Sequence, residues 1–335
     1  MQVALRTILM AVWGLLLPLA AAAQNPMLDR AWPKTDFTRF TVDPSRIHTV
    51  GHERDTIPSL SRPTMLPQAS AELAPVEAVL ALDPGEGPAR AYPLRYLMRH
   101  MVVNDRIGDL AVAVTYCAPS NSAQVFDRRI SDEETVSLGV AGLIRLSNAL
   151  LYDRQTESWW QQATGTALVG ARAGTTLRTL PAERTSWAAF RAAHPDGVVM
   201  APPEGWGFDY AANPLPAYDT TLPPRYYQGN PPPNGIPMLA RMVRIGTRAW
   251  PLARIAASGT LTEAGYTLSW TAGMASPVDA AGVADGRDVG MVRVRDAQGR
   301  AVAHDVLFAF AFDAHWPEGE WMLSSCLNRV DGHPC

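Results

Sequence analysis

The chain has 335 residues, an apolar fraction of 47% and a formal charge of −3 at pH 7. This length allows one large domain or two ordinary ones, and the apolar fraction is normal for a globular protein. A charge this close to zero, with scattered arginines, gives no electrostatic reason to expect nucleic acid as a partner.

Residues 1–23 have the pattern of an export signal. Arg6 supplies a positive charge before an apolar run from Thr7 to Leu19, and Ala21–Ala23 form a small-residue cleavage site before Gln24. The apolar run, about 15 residues, is shorter than the roughly 20 that a membrane-spanning helix needs. We therefore predict signal cleavage, a periplasmic or extracellular location, and no transmembrane segment in the mature chain.

Residues 24–70 are predicted to form an extended N-terminal arm, because six prolines interrupt them. From Pro75 onward, short β-rich runs alternate with turn sequences such as Asp83-Pro84-Gly85. This pattern is typical of short antiparallel or mixed strands. Residues 202–237 are rich in proline and glycine and predict a long loop.

Few helices are predicted, and all are short. A helix is predicted over residues 93–100, because Leu94, Leu97, Met98 and the following Met101 have helical spacing. A second helix is expected after Thr156. A third, SWAAFRAAH, is expected with Thr185 as its N-cap.

One eight-residue string occurs twice: RAYPLRYL at 90–97 and RAWPLARI at 248–255. In each copy an aromatic-proline step would end a strand and begin a helix. The repeat favours two related lobes, residues 71–235 and 236–335, and the alternative is a chance match. The predicted fold class is therefore α+β, predominantly β, with two related lobes.

The chain has three cysteines, Cys117, Cys326 and Cys335. In an oxidising compartment the last two are expected to pair, because the Asp-Gly and Pro between them can turn the chain back. Cys117 is then left without a partner, which in an exported protein requires an explanation.

Several segments together resemble the bacterial family called domain of unknown function 3179, over most of residues 75–255. They are RAYPLRYL, VVNDRIGDLAVAVTYC, SAQVFDRR, GVAGLIRLSNALLYDRQTESWWQQATGTALVG, LPAERTSWAAFRAAHPDG, FDY at 208–210 and, more weakly, RAWPL. The resemblance implies a Cys-Pro-Leu-Cys loop with a His-Glu pair ahead of it. This chain has Cys117-Ala118-Pro119-Ser120 and His100-Met101 instead. Some relatives are described as selenoproteins, which suits a reactive chalcogen at position 117.

Cys117 follows a buried strand and precedes a polar loop, so it can serve as a redox thiol or a soft-metal ligand. Ser120 cannot form a disulfide, so a redox cycle would run through a sulfenic acid on Cys117, with His100 as base. The imidazole, thioether and thiolate of His100, Met101 and Cys117 would suit copper. Adjacent helical residues point about 100° apart, which favours His100 with Cys117 over Met101. The alternative is an inert buried thiol and a hydrogen-bonded histidine.

A second group of polar residues lies between Tyr152 and Trp159. Arg154 can clamp an anion or orient Asp153. In the structural alternative these residues fix a turn, Thr156 is an N-cap and Trp159 lies in the core. Arg128 has the same two interpretations. The residues predicted to surround the site are Asn104, Asp105, Ser120, Ser122, Arg128, Asp153, Arg154, Ser158 and Trp159.

Two hypotheses of different classes follow. In the first, an exported protein uses a Cys117-centred site to bind copper or to perform thiol redox chemistry. In the second, it is a non-enzymatic extracytoplasmic binding module, with its ligand against Trp159, Trp160 and the 202–237 loop and with Cys117 as packing. The sequence leaves the reaction, the redox partner, the metal and the oligomeric state open.

Overall fold

A computed structural model of the chain describes residues 30–222, 227 and 229–323. The chain divides into two compact units, residues 1–33 and residues 34–335. Only residues 30–33 of the first unit are described, and the predicted export signal lies outside the described residues. In the described part of the chain no helix is long and apolar enough to cross a membrane.

The strands of the described residues form five sheets, A to E, which are the blades of a five-bladed β-propeller. In sheet order, sheet A contains β1 (His48–Thr49), β9 (Leu138–Arg145), β10 (Asn148–Asp153), β11 (Trp159–Gln161) and β12 (Thr166–Val169). Sheet B contains β13 (Thr179–Leu180), β8 (Ser122–Asp127), β7 (Leu110–Cys117), β6 (Val102–Ile107) and β2 (Leu60–Ser61). Sheet C contains β14 (Glu183–Ser186), β4 (Ala78–Leu82), β5 (Arg90–Pro93), β15 (Val198–Met200) and β3 (Met65–Pro67).

The remaining two sheets come from the C-terminal third of the chain. Sheet D contains β21 (Asp305–Phe308), β16 (Arg241–Ile245), β17 (Arg248–Pro251) and β22 (Glu320–Trp321). Sheet E is the meander β18 (Thr260–Glu263), β19 (Tyr266–Thr271) and β20 (Met291–Asp296). The fold is thus mostly sheet, and the predicted α+β class is wrong.

Four helices of seven residues each occur in the described chain, and each directly follows a strand. They are α1 (Leu94–His100), α2 (Trp187–Ala193), α3 (Leu252–Ser258) and α4 (Ala309–His315). The 3-10 turns are Pro44–Arg46, Gln68–Ser70, Ala118–Ser120, Tyr218–Thr220 and Pro233–Gly235. The predicted helix at 93–100 is confirmed, and α2 begins one residue later than predicted, with the Ser186 hydroxyl accepting from the Ala189 N–H as its N-cap.

The prediction of two lobes is wrong, because both halves of the chain share one hydrophobic core. The largest buried cluster combines Leu80 and Val114 with Leu307 and Phe310, from sheets B, C and D and helix α4. A small sheet buries little apolar surface alone, so the blades are stabilised by packing on one another.

The repeated string nevertheless marks equivalent places in two blades. Residues 90–97 form the β5–α1 junction and residues 248–255 the β17–α3 junction. Sheet C contains the order β14-β4-β5-β15, and sheet D has the matching order β21-β16-β17-β22. In both, the outer strands β15 and β22 are parallel to their neighbours.

The described part of the N-terminal arm adds one short strand to each of three blades. β1 pairs with β9, β2 with β6, and β3 with β15. These short strands cover edges that would otherwise present unpaired backbone groups. Among the described residues of 202–237 the only regular elements are the two 3-10 turns.

Candidate functional site

Cys117 ends β7 and begins the tight loop that leads into β8. Ala118–Ser120 form a 3-10 turn, and Asn121 reverses the chain with a left-handed φ of 55°. Cys117 is fully buried, and its Sγ accepts a hydrogen bond from the Ala149 N–H at 3.4 Å. Burial raises the pKa of the Cys117 thiol, although hydrogen bonds from Ser120 and Ala149 oppose this. The sulfur is therefore a protonated thiol near neutral pH.

Buried amides connect this loop to sheet A. Asn148 Nδ2 donates to Ser120 Oγ and to Gln162 Oε1, both at 2.8 Å. Gln162 Nε2 donates to Thr115 Oγ1 at 3.0 Å, and Gln161 Nε2 donates to Asn148 Oδ1 at 2.6 Å. Buried polar groups are stable only when they are paired, so these bonds fix the position of sheet A against the Cys117 loop.

A buried carboxylate ties the same loop to sheets C and D. Asp305, at the start of β21, accepts from Ser122 Oγ at 2.6 Å and from the Ala123 N–H at 3.0 Å. Arg184 on β14 lies 3.6 Å from Asp305 and donates to both the backbone and side-chain oxygens of Asn121 at 2.8 Å. We call this group the polar centre: Thr115, Cys117, Ser120, Asn121, Ser122, Asn148, Gln162, Arg184 and Asp305.

Three residues in or next to the polar centre have positive φ. Leu146 and Ser147, at the tip of the β9–β10 hairpin, both have positive φ, 51° and 57°, as Asn121 does. Ser147 and Asn121 are fully buried, whereas turn residues normally lie at the surface. Such conformations cost roughly 1–3 kcal/mol each and persist only where the surrounding structure enforces them.

His100 lies in a different environment, at the end of α1. Its Nδ1 donates to the Pro58 carbonyl at 2.9 Å, and its Nε2 accepts from the Tyr210 hydroxyl at 2.6 Å. The rings of Trp206 and Phe208 flank it at centroid distances of 5.4 and 5.7 Å. Burial lowers the pKa of His100. None of these partners contacts the Cys117 thiol, so the hydrogen bonds do not bring the predicted His100–Cys117 pair together.

Met101 caps the C-terminus of α1 through its backbone. Its φ is 60°, its N–H donates to Leu97 O at 2.7 Å, and its carbonyl accepts from the Tyr116 N–H. Its side chain packs against the hydrophobic cluster that contains Trp160. Within the described residues, no group of three or more His, Cys, Asp or Glu side chains could hold a metal ion.

Asn104 and Asp105 make structural contacts on β6. The Asn104 side chain exchanges two hydrogen bonds with the Leu138 backbone, at 2.8 and 2.9 Å, and so ties β6 to β9. Asp105 accepts from Arg90 at 2.6 Å and from the Tyr92 hydroxyl at 2.7 Å.

Arg128 also has a structural position. Its guanidinium donates to the carbonyls of Val112, Val136 and Asp105 at 2.9, 2.6 and 3.0 Å. All three acceptors are main-chain oxygens, so Arg128 joins β6 and β7 of sheet B to the loop before β9.

Asp153 fixes a turn, in agreement with the structural interpretation of the segment between Tyr152 and Trp159. The fully buried carboxylate accepts from the Thr156 N–H at 2.7 Å and from Trp160 Nε1 at 2.9 Å. Ser158 Oγ accepts from the Arg172 N–H at 3.1 Å. The predicted helix after Thr156 is wrong, because this turn leads directly into strand β11.

Arg154 and Trp159, the other predicted residues of this segment, point to different places. Arg154 is about half exposed and pairs with Asp55, at 2.9 and 3.0 Å, and with Ser59 Oγ. Trp159 is buried and packs edge-on against Phe37 at 5.5 Å. Because Trp160 is buried as well, the predicted ligand platform on these tryptophans does not exist. Cys326 and Cys335 lie outside the described residues, and their disulfide stays a prediction.

A surface groove of about 750 Å³ lies where sheets B, C and E meet. Its volume is in the range of small-molecule sites, about 300–1,000 Å³. The apolar side chains that line it include Ala81, Leu82, Leu110, Leu180, Ala182 and Val302. Three arginines line the same groove: Arg178, Arg293 and Arg295.

Strand alternation explains how β20 supplies two of these arginines. In MVRVRD, Val292 and Val294 are buried in the core, so Arg293 and Arg295 both lie on the opposite face. Both pair with Glu183, at 3.2 and 2.7 Å. Sequence reasoning treated the arginines as scattered and missed this cluster, although the period-2 alternation at 291–296 was a usable signal.

One comparison with known proteins gives a match. The model of a family described as "Protein of unknown function (DUF3179)" matches residues 54–319, which include the polar centre and the groove. No curated protein and no solved structure matches the chain.

Proposed function

Because the chain belongs to the DUF3179 family, whose description names no activity, we propose a function from its geometry. The protein is an exported, non-enzymatic binding module, and its ligand lies in the groove between sheets B, C and E. Cys117 is then part of the fold. Export is supported by the pattern of residues 1–23 alone.

The observation that carries this proposal is the groove itself. It combines an apolar lining with arginines that remain solvent-accessible, since the side chains of Arg178 and Arg293 are 63% and 55% exposed. Concave sites with mostly apolar walls and a few placed polar groups are typical ligand sites. By contrast, the Cys117 sulfur is fully buried and its own hydrogen bonds are internal.

A neutral apolar fluorophore, Nile red, tests for binding in the groove. The protein is taken from the exported fraction, where an N-terminus at Gln24 is expected. Ala301→Trp fills the groove from its exposed rim, and Ala272→Trp adds the same ring at an exposed position that does not line it. We expect Nile red affinity to fall at least about tenfold in Ala301→Trp and to be unchanged in Ala272→Trp. Equal affinity in both variants, or an intact Met1 on exported protein, would contradict the proposal.

A thiol site at Cys117, acting by redox chemistry or by copper ligation, is the second candidate. It is favoured by the strained, buried backbone of the polar centre, because such strain is concentrated at functional sites. Rapid reaction of Cys117 with a thiol reagent in the native protein would support it, and resistance until unfolding would reject it.

A further inference from the structure

We infer that the groove binds an amphipathic anion, with a carboxylate or phosphate held by Arg293 and Arg295 and an apolar body along the lining. This inference rests on the proposed function and names its ligand class. It follows from the charges of the groove, from the geometry of its guanidinium groups and from the composition of its walls.

The groove contains more guanidinium than carboxylate groups. Arg178, Arg293 and Arg295 line it, against Asp83 and Glu183. Arg178 pairs with Asp127 at 2.7 Å, but Arg129 also pairs with Asp127 at 2.7 Å. Asp127 and Glu183 thus each serve two arginines, and the four arginines outnumber Asp83, Asp127 and Glu183 by one positive charge.

The guanidinium of Arg293 is placed to take an anion. Only its Nε donates to Glu183, at 3.2 Å, and within the described chain its two terminal nitrogens have no partner. Arg295 is 32% exposed and shares Glu183 through Nη1 at 2.7 Å. Exposed ion pairs contribute little to stability. A ligand that replaces the bonds to Glu183 therefore loses little free energy. The planar fork of arginine matches a carboxylate or phosphate with two parallel bonds.

The rest of the lining selects the body of the ligand. The strands β4 and β13 contribute Leu82 and Leu180, and β20 contributes Arg293 and Arg295, so apolar and cationic side chains line the same groove. His194 lines the groove, and no Phe, Tyr or Trp side chain does so in the part of the chain that is described. An alkyl chain needs only apolar contact of the kind that Leu82 and Leu180 offer.

Displacement of Nile red by decanoate, decyl phosphate and decanol tests the ligand class. The three probes share an alkyl chain and differ in the head group. We expect both anions to displace the dye at least about tenfold more tightly than decanol, since a hydrogen bond to a charged head group is stronger than one to a neutral hydroxyl. A stronger effect of one anion identifies its head group as the preferred one.

The variant Arg293→Gln/Arg295→Gln should bind Nile red as the wild type does and lose the preference for anions. Arg300→Gln is the matched control, because Arg300 is on the surface, pairs with Asp296 and does not line the groove. A decanol affinity equal to that of decanoate, or a preference that survives in the double variant, overturns the ligand class. Failure of Nile red itself to bind the wild type would instead overturn the proposed function.

Discussion

Replacing Gly142 with alanine is expected to destabilise the fold by about 3 kcal/mol or more. Gly142 lies in a bulge of β9, where the register with β10 shifts between Leu150 and Leu151. Its φ is +70°, and an added Cβ would overlap the backbone oxygen of His52 and lie 2.9 Å from that of Glu53. Only the absence of a side chain lets the N-terminal arm pass this close to the bulge.

Gly85→Ala is the matched control for this effect. Gly85 also has positive φ, +80°, but nothing lies within 4 Å of the added Cβ. Gly85→Ala should therefore lower the free energy of unfolding only by the cost of holding alanine at positive φ, roughly 1 kcal/mol. Urea unfolding measures the loss of stability in each variant. Equal losses in Gly142→Ala and Gly85→Ala would show that close contact with the arm does not restrict position 142.

Removing the buried carboxylate of Asp305 is the other change with a large expected effect. Asp305→Ala leaves the Ser122 hydroxyl and the Ala123 N–H without their acceptor and Arg184 without its nearest carboxylate. Breaking a buried charge pair typically costs about 3–5 kcal/mol. The free energy of unfolding in urea should fall by that amount, because sheets B, C and D all meet at this group.

Two variants separate the contributions of charge and hydrogen bonding at this position. Asp305→Asn keeps one acceptor oxygen and should lose less stability than Asp305→Ala. Asp109→Ala removes a carboxylate that is fully exposed and should change stability little. If Asp305→Ala were as mild as Asp109→Ala, the polar centre would not hold the blades together.

Local structure was predictable where neighbouring residues determine it. Pro93 ends a strand and starts α1, and the SWAAF run is capped by a hydroxyl one residue from the predicted one. Family membership was predictable from short strings, and the match over residues 54–319 confirms it. In these cases the physical cause lies within a few residues of its effect.

Long-range packing was not predictable in the same way. The repeat at residues 90–97 and 248–255 marked equivalent junctions correctly, but nothing within it shows that both blades share one core. The segment after Thr156 has helical spacing, yet Asp153 accepts from the Thr156 N–H and from the Trp160 ring seven positions along the chain, and these bonds fix a turn. Arg178 is more than 100 positions from Arg293 and Arg295 along the chain, and only the meeting of sheets B, C and E brings it near them.

The central claim is that this protein binds its ligand in the groove and that Cys117 belongs to the fold. It is tested most directly by the rate at which a thiol reagent modifies Cys117 in a Cys326→Ser/Cys335→Ser background. Because the thiol is buried and its pKa is raised above the ordinary value of 9.0, we expect native labelling at least about a thousandfold slower than in urea.

The dependence of the labelling rate on pH shows whether the pKa of Cys117 is raised or lowered. With a raised pKa, the thiolate fraction, and with it the rate, should increase about tenfold per pH unit through about pH 8. That result would leave Cys117 as a packed, protonated thiol. Rapid native labelling that is already maximal below about pH 7 would show an activated thiolate, and would contradict the account in favour of a thiol site.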